Sequence, residues 1–208
     1  EFLYTHGVRR DCIRIDTPSA GQRVLHRVGD GLWQVEMGRF TASPDAVGAV
    51  GLGGGPLLDV PLCAGGRAWR VHCVAVGNPH CVLFTHEPPP AGAELAAWGR
   101  ALGHHPAFPG GINVEFAQPI SPTGLAVTVW ERGSGATLAC GTGACAVAAA
   151  AVLTGRCPRD APILVQLPGG TLEVCVQRDD TVLLTGDAAA TFSGTVLIQP
   201  CKAPRGVV

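Results

Sequence analysis

Short runs of apolar and β-branched residues, many alternating with polar positions, recur along the chain between clusters of Gly, Pro, Asp and Asn. Alternation with period two is the mark of a half-buried strand. On this basis Cys12–Asp16, Gln22–Arg27 and Leu32–Glu36 form a three-strand meander, with Gly29-Asp30-Gly31 supplying positive φ angles for a hairpin turn. Arg67–Val76 and Cys81–Phe84 form a second pair, interrupted at Gly77-Asn78-Pro79-His80. Ile112–Ala117, Leu125–Trp130, Ile163–Leu167, Leu172–Val176, Val182–Thr185 and Thr195–Gln199 complete the strands, broken by Pro168-Gly169-Gly170 and Asp179-Asp180.

Two segments change period. Glu94–Leu102, after the prolines at 88–90, places Leu95, Trp98 and Leu102 on one helical face and ends near Gly103. Gly141–Leu153 is built of small, helix-favouring residues, with Gly155 as its stop. Strands outnumber helices and the classes mix, which predicts an α+β protein of antiparallel sheets wrapped around one central helix. Gly48–Pro56 is glycine-rich but leads into a β-type run. A phosphate cradle needs a helix start behind it, so this segment reads as a connection. Arg205–Val208 reads as a frayed tail.

The chain has 208 residues, 47% hydrophobic and 15% charged, the composition of a globular protein with one core or two small ones. A net charge of −1 gives no electrostatic footprint for nucleic acid or an anionic membrane, and no apolar run is long enough to span a bilayer. Lys202 is the only lysine, which excludes a Walker-type phosphate lysine and disfavours a pyridoxal-phosphate Schiff base. The nine cysteines, irregularly spaced, read mainly as buried thiols of a reducing, cytoplasmic compartment; Cys140 and Cys145 lack the second ligand pair that zinc requires. Glu1 is not a translation start, so a fragment or processed form is expected and no targeting signal can be read.

The candidate chemistry lies between Trp130 and Ala146. A strand ends at Glu131-Arg132, a Gly-Ser-Gly turn follows, and Cys140 stands directly before Gly141-Thr142-Gly143, where the alanine-rich helix begins. A thiol at a helix N-terminus lies in the positive end of the dipole, an arrangement expected to lower its pKa. The unpaired N–H groups beside it can bind a carboxylate, and the glycines let an anion approach the backbone. Attack on a carbonyl, or removal of a proton α to a carboxylate, would each be served; a buried cysteine at a tight packing point is the structural alternative.

The run Glu131-Arg132-Gly133-Ser134-Gly135-Ala136-Thr137-Leu138-Ala139-Cys140-Gly141-Thr142-Gly143-Ala144-Cys145-Ala146 is joined by Val76-Gly77-Asn78-Pro79-His80-Cys81-Val82 and Pro168-Gly169-Gly170-Thr171-Leu172. Together they resemble the diaminopimelate epimerase family of cofactor-independent amino-acid epimerases, over about Cys12 to Thr185. The resemblance implies two similar lobes facing a cleft, each an antiparallel sheet around a central helix that begins at a catalytic cysteine. It implies that Cys140 is one catalytic thiol and that Gly141 and Thr142 hold the reacting α-carboxylate. Asn78 and Asn113 would contact the substrate's far end, Glu131 and Arg132 would read its distal amine and carboxylate, and His80 and Glu131 would adjust the cysteine pKa values. No cofactor and no metal are implied, because a thiolate on one face of the α-carbon and a thiol on the other suffice to invert it. The expected partner is a small amino acid, with a homodimer as the oligomer.

Two departures qualify the likeness. The family's other cysteine lies in a Cys-Gly-Asn-Gly motif that these residues do not contain, and Cys12, in a strand without a glycine-rich helix start, cannot replace it. The expectation is therefore a complete second lobe, 37–186, with 1–36 as a remnant of the first lobe and 187–208 as a strand returning to it, and a chain that is inactive alone. Ala136 stands where the family commonly has glutamate, which bears on substrate choice or activity. A related racemase with another substrate and a non-catalytic family member remain as alternatives.

Overall fold

The computed structural model describes residues 1–17 and 21–197. The strands are β1 (Cys12–Thr17), β2 (Gly21–Gly29), β3 (Leu32–Arg39), β4 (Val60–Ala64), β5 (Arg67–Ala75), β6 (Pro79–Phe84), β7 (Asn113–Ser121), β8 (Gly124–Glu131), β9 (Gly135–Thr137), β10 (Pro162–Leu167), β11 (Gly170–Val176) and β12 (Thr181–Asp187). The helices are α1 (Phe2–Thr5), α2 (Pro44–Val47), α3 (Gly92–Gly103) and α4 (Gly141–Leu153). The strands join edge to edge in the order β1-β2-β3-β12-β11-β10-β8-β7-β6-β5-β4, with β9 paired to β8. The α+β class read from the sequence is the class found.

The sheet is mixed where a purely antiparallel one was expected. β6 pairs with β7 in parallel, and β8 pairs with β10 in parallel. A parallel pair needs a crossover, and the two long helices are those crossovers: α3 joins β6 to β7, and α4 joins β8 to β10. They pack into two separate apolar cores. One gathers α4 with Val74, Val82, Val127 and Val165; the other gathers Leu95 and Leu102 of α3 with Trp69, Val114 and Phe116. Strands β5–β8 thus bury both faces, which is why they read as nearly continuous apolar runs.

Helix α4 is enclosed on all sides. Ala144 to Ala151 have no exposed surface, and the small side chains let strands approach the helix from several directions. Its C-terminus is a Schellman motif: Gly155, at φ +71°, donates to Val152 O at 3.1 Å, and Arg156 donates to Ala151 O at 2.7 Å.

Other differences are local. In the β2–β3 hairpin only Gly31 takes a positive φ, +63°. The expected interruption at 77–80 is displaced, because Pro79 and His80 already pair with Ala75 and Val74; Val76, Gly77 and Asn78 make the turn, with Gly77 at φ +79°. His80 is therefore a strand residue. Strand β4 lies in the β-type run read after Pro56, whereas strand β9 and helices α1 and α2 were not foreseen. Gly48, in the left-handed region, caps α2, and Gly51 to Pro56 continue as a connection. Thr195–Leu197 are exposed and without regular structure, because no backbone partner pairs them among the described residues. The rest of that expected strand, the tail at 205–208, and Cys201 and Lys202 lie outside the described residues.

Candidate active site

Three neighbouring strands and one helix converge on the expected residues. β6 begins just after Asn78 and carries His80. β7, in parallel register with it, sets Asn113 opposite His80. β8 ends at Glu131, next to Arg132, and α4 starts from Cys140.

Cys140 is the N-cap of α4, in extended conformation at φ −140° and ψ 113°. Its Sγ accepts the N–H of Gly143 at 3.4 Å and lies 3.5 Å from Thr142 Oγ1. Cys140 O takes the N–H of Ala144. The N–H groups of Gly141 and Thr142, at half-buried positions, belong to the first turn, where a helix leaves N–H groups without intrahelical partners and able to meet an anion. The expected fall in thiol pKa is not what the site produces. Burial pushes the Cys140 thiol up, the hydrogen bonds from Thr142 and Gly143 pull it partly back, and the charges of Glu115 and Glu131 push it further up. Desolvation outweighs the helix end because the cysteine is 9% exposed and faces two carboxylates.

Behind the helix start lies a buried chain of polar groups. His80 Nδ1 meets Glu115 Oε1 at 2.6 Å, and His80 Nε2 meets Asn78 Oδ1 at 2.9 Å. His80 and Glu115 are wholly buried. Glu115 also reaches α4: a Cβ on Gly143 would stand 2.8 Å from its Oε1. Glu115 was not among the residues singled out from the sequence. The signal was present, since Asn113 and Glu115 interrupt one face of the otherwise apolar run Ile112–Ala117.

Asn113 is a tie between elements. Its Nδ2 donates to Pro79 O at 3.1 Å and its Oδ1 accepts the N–H of Arg132 at 2.8 Å. The amide keeps a further N–H and a further lone pair beyond these two bonds. Arg132 donates from Nη1 to Gly110 O at 2.9 Å, and Glu131 Oε1 accepts from Thr137 Oγ1 at 2.7 Å. Ala136 is exposed on β9, opposite Trp130.

The stretch that carries this thiol and the Asn-His-Glu chain matches a known family. The family model for diaminopimelate epimerase matches residues 72–191. The chain belongs to the diaminopimelate epimerase family. It is 43% identical over 190 residues to the diaminopimelate epimerase of Nostoc punctiforme, covering 89% of this chain and 65% of that one. It is 52% identical over 141 residues to that of a Synechococcus strain, covering 67% of this chain and 49% of the relative. This family member thus spans about half to two thirds of the length of such relatives. Among solved structures, a hydroxyproline epimerase from Agrobacterium vitis matches with TM-score 0.64 at 17% identity, covering 89% of this chain and 60% of the other. A phenazine biosynthesis protein of the PhzF family from Bacillus anthracis matches with TM-score 0.59 at 13% identity, covering 95% and 73%. At those identities the likeness is one of fold.

Proposed function

We propose that this chain supplies one half of a diaminopimelate epimerase site, interconverting L,L- and meso-diaminopimelate by proton transfer between two cysteines. The observation that carries the reading is the position of Cys140: its sulfur caps α4 immediately beside the Gly141 and Thr142 N–H groups. A substrate α-carboxylate held by those N–H groups would bring its α-carbon against the sulfur. The same helix end would stabilise the charge that develops as the α-proton leaves. A thiol kept protonated by burial suits the proton donor of the pair.

The opposite face requires a second thiol. The reading places it on a Cys-Gly-Asn-Gly helix start in a first lobe, to which 1–36 and 187–208 contribute, while 37–186 form the second lobe. Asn78, Asn113, Glu131 and Arg132 then face the distal amino-acid group, and His80 and Glu131 tune the thiols. Proton transfer between side chains needs no cofactor and no metal. Cytoplasmic residence belongs to the same reading, since free thiols need a reducing compartment. So does a homodimer, toward which the exposed Val28 and Leu32 near the β2–β3 turn would contribute. No helix among the described residues is long and apolar enough to cross a membrane.

The test is inversion in deuterated water. A fusion that places before Glu1 a first-lobe segment bearing the Cys-Gly-Asn-Gly motif should convert L,L-diaminopimelate with solvent deuterium at the α-carbon and lose this on Cys140→Ala. The 208-residue chain alone should not. Inversion that survives Cys140→Ala would overturn the reading.

A further inference from the structure

Glu115 and His80 form a hydrogen-bonded polar pair in an otherwise apolar interior. Both side chains are fully buried, on strand positions paired with Val74 and Val82, and Glu115 lies against the first turn of α4 at Gly143. Burying a carboxylate is costly, and an apolar pair of similar volume is often at least as stable. Glu115 is moreover only half satisfied: Oε1 takes His80 Nδ1 at 2.6 Å, whereas Oε2 is buried and takes no hydrogen bond from the described residues. The absence of a side chain at Gly143 leaves the room in which this carboxylate lies. A residue held at such expense, one bond behind a histidine of the site, points to a role exerted through that histidine.

We propose that Glu115 is a positioning residue that pins the Nδ1 proton of His80 and so leaves Nε2 to face Asn78. A carboxylate oxygen can only accept, so Nδ1 must donate to it. That fixes the tautomer, as second partners of catalytic histidines do elsewhere. Nε2 then has two states. Protonated, it donates to Asn78 Oδ1 at 2.9 Å. Unprotonated, it accepts from the Asn78 amide turned over to present Nδ2. The half-buried amide of Asn78 can thus meet either state of Nε2 by turning over. The titratable groups that feel the Glu115 charge are Cys140 at the start of α4 and Cys81 on β6, with Glu131 acting on Cys140 from the end of β8 and Cys73 on Cys81 from β5. None of these hydrogen-bonds to the imidazole, so Glu115 alone sets its Nδ1 side.

The inference rests on the reading of the cleft as a proton-transfer site, but its test requires no turnover. Nitrogen-15 NMR of His80 in the 208-residue chain, followed across pH, should show Nδ1 protonated throughout and any proton exchange confined to Nε2. In folded Glu115→Gln, whose amide can donate as well as accept, the Nδ1 signal should move and the tautomers should mix. In the active fusion the same change should lower kcat about 10- to 100-fold with little effect on KM. An unprotonated Nδ1 in the unaltered chain overturns the proposal without needing any variant to fold. So does a folded Glu115→Gln whose His80 signals are unchanged. Failure of the fusion to exchange deuterium would strike the epimerase reading and leave the His80 spectrum as the judge of this one.

Discussion

The side chain of Asn113 holds the backbone of Arg132: its Oδ1 accepts the Arg132 N–H at 2.8 Å, while its Nδ2 donates to Pro79 O. One amide therefore links the start of β6, the start of β7 and the end of β8, the three points from which His80, Glu115 and Glu131 project. Asn113→Ala should remove both bonds and strand two backbone groups, one of them behind a 5% exposed side chain. A loss of about 1–3 kcal/mol in urea unfolding is expected. Asn113→Asp keeps the acceptor toward Arg132 but sets an oxygen against Pro79 O, so it should recover only part of the loss.

Cys140 should react as a hindered acid. With its thiol pushed up by burial and by the charges of Glu115 and Glu131, iodoacetamide labelling of Cys140 should reach its midpoint at higher pH in the folded chain than in the same chain unfolded in urea. Thr142→Val removes a hydrogen bond that favours the thiolate, and should slow labelling about 2- to 10-fold at fixed pH. Glu131→Gln removes an opposing charge and should speed it. Peptide-resolved mass spectrometry separates Cys140 from the other thiols.

Alkali should destabilise the fold. The buried thiols of Cys81, Cys140 and Cys145 are all pushed up by burial in the folded chain, Cys81 chiefly by its contact with Cys73. Unfolded thiols ionise above about pH 8.5. From there the unfolded state binds fewer protons than the folded state, and stability falls as pH rises, by about 1 kcal/mol per pH unit for each thiol. Below about pH 8 these groups contribute no slope. Denaturant midpoints taken from pH 7 to 10 should show the break, and Cys145→Ala should flatten it.

Glycine-to-alanine changes should be costly at two helical positions where they ordinarily help. At Gly143 a Cβ would meet Glu115 Oε1 at 2.8 Å, and at Gly99 it would stand 2.4 Å from Cγ of Trp130. Each replacement should destabilise by about 1–3 kcal/mol in thermal unfolding, despite the better helix propensity of alanine. Gly143→Ala should also displace Glu115 and so disturb the His80 resonances, while Gly99→Ala should leave them in place.

What the sequence alone determined is what neighbouring residues decide. The alternating runs specify the hairpins, the alanine-rich run specifies α4, Cys140 stands at its start and Gly155 at its end, and the long motifs carry the family. Tertiary structure decided three other things. The parallel pairings of β6 with β7 and β8 with β10 are crossovers, and a local pattern cannot distinguish a strand that returns by a hairpin from one that returns through a helix. Strand β9 exists only because the end of β8 offers it an edge. The direction of the Cys140 pKa depends on how much water the fold removes and which carboxylates it brings near. A helix start in water would lower that pKa, but the folded site buries the sulfur and places Glu115 close to α4 from a strand whose partner, His80, lies 35 residues earlier. Propensity acts over a few residues, whereas desolvation and charge act through space.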